Sequence, residues 1–120
     1  MQPRDIEYIA MQWLEAFNAR QLNKLLDLYA DDAEHFSPKL KVHKPETQGL
    51  VKGRAAMQDW WQGSFDRLPT LHYKVKSLTA NEYRVFMEYT RTLEGEPDML
   101  VAEVLEIKEG KIVFSRVYHG

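Results

Sequence analysis

At 120 residues the chain has room for one domain that buries roughly two-thirds of its unfolded surface, which excludes a second catalytic domain and a wide internal reservoir. Lys plus Arg is 16 and Asp plus Glu is 18, so the formal charge is −2, with no basic excess to hold nucleic acid. Cysteine is absent, which removes disulfides, thiolate catalysis, Cys-ligated zinc and iron–sulfur clusters.

The opening Met-Gln-Pro-Arg-Asp turns amphipathic at once, and no apolar run is long enough to cross a bilayer. The expectation is a soluble, cytoplasmic protein with no membrane partner. Ile6, Ile9, Ala10, Trp13, Leu14 and Phe17 recur on one helical face, with Pro3 and Asp5 suited to the start and Asn18 to the exit. A shorter second helix follows, its face formed by Leu22, Leu25, Leu26 and Tyr29. Asp31-Asp32 break that pattern ahead of a brief strand from Ala33 to Ser37, closed by Pro38.

Between Lys39 and Gly53 no period persists, and Pro45, Gly49 and several lysines point to a long loop. The third helix runs from about Arg54 to Phe65, with Met57, Trp60, Trp61 and Phe65 on one stripe. After Leu68-Pro69 the period becomes alternating. Leu71, Tyr73 and Val75 share one face of a first strand, and Tyr83, Val85, Met87, Tyr89, Arg91 and Leu93 one face of the next, each strand having one wetter face. The segment Met99–Lys108 is apolar on both faces, as a strand covered on each side would be. Glu109-Gly110 turns it into a last strand, Lys111–His119. This is an α+β order: helices first, then an antiparallel meander able to curve into a cone around three N-terminal-half helices, closed at one end and open at the other.

The runs FNARQLNKLLDLYADDAEHFSP, GLVKGRAAMQDWW and LEIKEGKIVF resemble the nuclear-transport-factor-2-like superfamily, in particular its SnoaL-like and ketosteroid-isomerase-like members. The resemblance covers nearly the whole chain, read as one domain over residues 1–120. It implies a conical, cystatin-like α+β roll around a mostly apolar pocket, and homodimers through the outer sheet face. The fold hosts isomerases, polyketide cyclases, dehydratases and non-catalytic binders, so it leaves the chemistry open. Aligned through these runs, the isomerase tyrosine falls on Trp13, its carboxylate base on Ser37 and its oxyanion-hole acid on Leu105. Trp13 keeps one N–H donor, but Ser37 is too weakly basic to remove a carbon-bound proton and Leu105 donates nothing, so steroid isomerisation by that route is not expected.

Other residues can carry acid–base chemistry without a cofactor. His35 shares the strand face of Ser37, points into the cone and titrates near neutral pH, which suits enolisation or an aldol-type closure. The bland alternative is a ring satisfied by a backbone carbonyl. Glu103 interrupts an apolar strand between Val101 and Leu105 and needs a buried partner. A two-residue turn at Glu109-Gly110 sets Glu103 opposite Arg116, and that ion pair, or a role at a dimer edge, is the preferred expectation. A one-residue bulge sets it opposite Val117 instead, bringing Ser115 and His119 onto its face and making Glu103 a base with a raised pKa. Of the aromatic set Trp13, Tyr29, Trp60, Trp61, Tyr89 and Tyr118, the expected pocket residues are Trp13, Trp60 and Tyr89, with Met57 as an adaptable wall beside Ser37 and Leu105. Adjacent Trp60 and Trp61 lie ~100° apart on a helix, so only one is expected to face the cavity. His43 and His72 show no metal-ligand spacing, and Lys39, Lys41, Lys44 and Lys52 form a solvated loop or, alternatively, a patch steering an anionic substrate. The combined expectation is a small hydrophobic or aromatic ligand, turned over by acid–base chemistry or held unreacted.

Overall fold

The computed structural model describes residues 1–119. Helix α1 (Pro3–Asn18) carries Pro3 in its first turn and closes a capping box between Gln2 and Asp5, while its apolar stripe is buried along its whole length. Helix α2 (Leu22–Asp27) is a turn and a half, and the chain then enters strand β1 (Tyr29–Phe36). The strand begins earlier than the sequence pattern predicts, and Tyr29 belongs to it rather than to the helix. Asp31 and Asp32 do not interrupt it, because both stay exposed and Arg54 bridges Asp27 and Asp31 at 3.0 and 3.4 Å.

The expected long loop is largely structured. Helix α3 (Pro38–His43) is capped by Ser37, whose hydroxyl accepts from the Lys39 N–H, and a single 3₁₀ turn (Pro45–Thr47) and strand β2 (Leu50–Lys52) follow. Pro38 both ends the strand and opens the helix, a dual use of its fixed φ. Helix α4 (Arg54–Arg67) precedes strands β3 (His72–Ala80), β4 (Arg84–Leu93), β5 (Glu96–Lys108) and β6 (Lys111–His119).

The six strands form one curved sheet in the order β2-β1-β6-β5-β4-β3. The α+β cone is as expected, but the sheet is mixed rather than wholly antiparallel: β1 runs parallel to β6, and every other pair is antiparallel. These two strands are distant in the chain, so alternation within each carries no record of their relative direction. Register shifts in four of the five strand pairs add the local twist that bends the sheet. Helices α1 and α4 fill the concave side with Ile6, Trp13, Phe17, Met57, Trp61 and Phe65. Asn18 fastens α1 to β3, donating to the Tyr73 carbonyl at 2.7 Å and accepting from its N–H at 2.8 Å. The outer face of β5 is not covered as predicted: Leu100 is 46% exposed there. No helix among the described residues is long and apolar enough to cross a membrane.

Candidate functional site

The concave face, α1, α3 and α4 enclose a cavity of about 280 Å³ that reaches the surface beside His43 and Arg67. Strand alternation sends Tyr89 and Arg91 into it from β4, Val101 and Glu103 from β5, and Val117 and His119 from β6. A column of stacked rings supports one wall, with Tyr73 lying 4.1 Å from Phe17 and 4.2 Å from Tyr89, centroid to centroid.

Glu103 is 1% exposed. Its Oε1 accepts a hydrogen bond from the Tyr89 hydroxyl at 2.8 Å, whereas Oε2 is buried without any partner among the described residues. Burial pushes its pKa up to about 8, against the smaller opposing effect of the Tyr89 hydrogen bond. The carboxyl therefore holds its proton at neutral pH and sits within reach of releasing it.

The expected Glu103–Arg116 ion pair is not formed. A bulge between Glu106 and Ile107 shifts the hairpin, so Glu103 faces Val117 and Arg116 faces Val104 on the outer side. There the guanidinium lies over the rings of Phe114 at 4.9 Å and Phe36 at 5.5 Å. The same shift brings Ser115 inward to meet His35, its neighbour across the parallel pairing.

His35 ends a chain of three hydrogen bonds. Trp13 Nε1 donates to the Tyr29 hydroxyl at 3.0 Å, Tyr29 donates to Ser115 Oγ at 2.9 Å, and Ser115 Oγ lies 2.6 Å from His35 Nδ1. The indole can only donate, which sets the direction of the whole chain. Each hydroxyl accepts one proton and passes on its own, so Nδ1 must be the acceptor; a proton on Nδ1 would leave one hydroxyl hydrogen with nowhere to go. His35 is thus an Nε2–H tautomer that also lines the cavity. Burial lowers its pKa to about 3, so the ring is a neutral donor at ordinary pH and a poor proton acceptor.

Of the residues the sequence singles out, Trp13, His35, Ser37, Trp60, Tyr89, Glu103 and His119 line the cavity. Met57 and Leu105 are fully buried in the core and do not. Trp13 lends its ring face only, since its N–H is used by Tyr29, and Ser37 is engaged as the helix cap. Trp61 joins Trp60 on the wall, contrary to expectation, because α4 lies with the gap between them facing the cavity; the Trp61 ring sits 5.1 Å from that of His35. His119 is pushed below its usual pKa, first by burial and then by nearby Lys39 and Arg91. Sequence reasoning overlooked Tyr73 and Arg91 as site residues, although the pattern already set Tyr73 on the face of Leu71 and Val75, and Arg91 on the face of Tyr89.

These features define a conical α+β domain with a buried carboxyl and a directed histidine at the end of an aromatic cavity. The sequence profile of the SnoaL-like domain matches residues 10–115, and the chain belongs to that family. Among solved structures it is similar to a SnoaL-like protein of unknown function from Burkholderia thailandensis, with TM-score 0.85, 22% identity, and 100% of this chain and 98% of that one covered. A protein proposed to be a polyketide cyclase from Sinorhizobium meliloti gives TM-score 0.78 at 14% identity, covering 92% and 93%. A hypothetical protein of ketosteroid-isomerase-like fold from Catenulispora acidiphila, in complex with trimethylamine, gives 0.72 at 19%, covering 92% and 83%. At such identities the likeness is one of fold. A search of curated proteins finds no match.

Proposed function

We propose that this protein binds a small hydrophobic or aromatic molecule in the cone and performs cofactor-free proton transfer on it, of the kind used by isomerases, cyclases or dehydratases. The observation that carries the reading is Glu103 Oε2, a buried carboxyl oxygen without a partner, in a cavity walled by aromatic rings. A group with a pKa near working pH can both take and return a proton. Glu103 is accordingly the acid–base residue, and His35 moves from the base expected on sequence to a neutral Nε2–H donor for the oxygen on which negative charge develops. His119, at the outer end, assists through its own depressed pKa. The alternative, a binder without turnover, draws on Trp13, Ser37 and Leu105 standing where the isomerase has its catalytic groups. The outer sheet face is proposed to join two copies.

Enolisation of a probe ketone separates the two readings. With 2-tetralone in deuterated buffer, NMR is expected to show protein-dependent exchange of the α-protons above the buffer rate. Glu103→Gln is expected to lower that increment by about 10²–10⁴-fold while the ketone still binds. Binding with no exchange above buffer selects the binder, and an unchanged rate in Glu103→Gln removes the role assigned to this residue.

A further inference from the structure

The outer half of the cavity carries a charge pattern that proton transfer does not use. Arg91 lies on the inner face of β4, two residues beyond Tyr89, and is only 6% exposed. A guanidinium has five N–H donors, yet its only hydrogen bond among the described residues runs from Nη1 to Glu96 Oε1 at 3.2 Å, and the Glu96 side chain is 48% exposed. Its other nitrogens have no partner among the described residues and are not sealed in the interior, where Glu103 Oε2 is the sole buried unpaired side-chain atom described, so Arg91 sits in the wall with most of its hydrogen-bonding capacity unspent. Two further cations line the same cavity, Lys39 and Arg67, and neither has an ion-pair partner among the described residues. The Arg67 guanidinium is held against the wall, 5.5 Å over the Trp60 ring. Arg91 stands one inward-facing position beyond the row that Tyr89, Val101 and His119 make across β4, β5 and β6, and the charges of Lys39 and Arg91 both act on His119.

The opposing charge is meagre. Glu96 and Glu103 are the only acidic side chains that line the cavity among the described residues, and burial favours the neutral form of Glu103. Three basic side chains, Lys39, Arg67 and Arg91, thus line a cavity whose only acidic wall residues are Glu96 and the buried Glu103, in a chain whose formal charge is −2. A basic focus against an acidic whole selects for an anion.

We propose that the ligand is an aromatic carboxylate: its carboxylate docks on the Arg91 guanidinium in the cavity that Lys39 and Arg67 also line, and its ring body lies between Trp60, Trp61 and Tyr89. A planar carboxylate matches the guanidinium fork with two parallel hydrogen bonds. Arg91 stands four residues along β4 from Met87, the residue opposite Glu103, a strand distance of roughly 13 Å. Once both side chains reach inward, the remaining gap suits one or two fused rings. This inference rests on the aromatic-cavity reading above and adds to it the charged group by which the ligand is chosen.

Calorimetric titration of the full chain with three probes of equal ring size tests it: 2-naphthoate, 2-naphthamide and 2-naphthol. The expected result is 2-naphthoate binding at least about tenfold more tightly than 2-naphthamide, with the ratio falling to near one in Arg91→Met and to an intermediate value in Arg91→Lys, while 2-naphthol affinity stays within about twofold throughout. Equal affinities for acid and amide in the unaltered chain overturn the carboxylate assignment and leave the aromatic cavity standing. Failure of all three to bind overturns both. A preference that survives intact in Arg91→Met shows the carboxylate to be read elsewhere and removes Arg91 from the proposal. Should Arg91→Met fail to fold, the acid-to-amide ratio of the unaltered chain and of Arg91→Lys still decides.

Discussion

Two buried groups pull the stability of this protein in opposite directions with pH. Glu103 titrates at about 8 in the fold against an ordinary 4.5, so between those values the folded chain holds a proton that the unfolded chain has lost. Stability contributed by the protonated form is complete below the lower value and drains away as pH rises through the upper one. His35 titrates at about 3 against an ordinary 6.5, so between those values it is the unfolded chain that binds the extra proton. Its contribution is present above 6.5 and is lost as pH falls toward 3. The two slopes oppose each other from 4.5 to 6.5 and stand alone on either side. Thermal melts across this range are therefore expected to show Glu103→Gln abolishing the decline between 6.5 and 8, and His35→Gln flattening the decline at the acid end. Melting curves of Glu103→Gln that track the unaltered chain in parallel across the alkaline window would contradict a protonated Glu103. Both residues stand out in the sequence, Glu103 as a polar interruption of an apolar strand and His35 as a titratable ring on the strand face of Ser37. Their ionisation does not, because it depends on the depth of burial and, for Glu103, on a tyrosine from another strand, neither of which is local in sequence.

Among the elements, the segment from Ser37 to Gly49 governs how the cavity mouth is built. From Lys39 on it reads as loop in the sequence, because no period lasts long enough between Lys39 and Gly53, yet a cap, a proline and a glycine fix its path. Ser37 accepts from the Lys39 N–H at 3.2 Å and starts the helix from which Lys39 reaches the cavity. Gly49 returns the chain at φ +88°, and a Cβ placed there would stand 2.7 Å from the Phe36 ring and 3.3 Å from the Ser37 carbonyl oxygen. Only glycine accepts that conformation without strain. Ser37→Ala is expected to cost about 1 kcal/mol through loss of the cap. Gly49→Ala is expected to cost about 1–3 kcal/mol, since φ and contact are both violated. Denaturant unfolding measures both, and a Gly49→Ala chain as stable as the parent would show the turn to be adaptable. The last hairpin teaches a related lesson. Its two alternative registers are equally compatible with the alternation of β6, and the choice is made by one extra residue near Val113, opposite the Glu106/Ile107 step. That single bulge turns Arg116 outward and Ser115 inward, and so decides whether Glu103 is a structural ion partner or an unpaired acid.

For the whole molecule, the cone was legible in the change from helical to alternating period and in the family resemblance, whereas the parallel β1–β6 pairing and the bare outer face were not. Apolar residues on both faces of β5 suggest two covering layers, but the chain supplies only the inner one. Opposite the cavity, Phe86, Leu100 and Tyr118 are 44%, 46% and 46% exposed, around a Val104 that is only 5% exposed. Register places them together: Phe86 lies opposite Val104, and Tyr118 opposite Ala102. Arg84 and Glu106 pair at 3.6 Å on the same face and border the patch with charge. An apolar centre with a polar border is the pattern of a protein interface, and a second copy meeting it face to face would provide the missing layer. A stable contact of standard size buries about 800 Å² on each partner. Sedimentation velocity is expected to report twice the chain mass, and the double change Phe86→Glu with Leu100→Lys to give a folded monomer. Because both residues point away from the cavity, 2-naphthol affinity should be the same in the monomer as in the dimer. An unaltered chain that sediments as a monomer would leave the outer face without its proposed partner, and a variant that stays dimeric would move the interface to another surface.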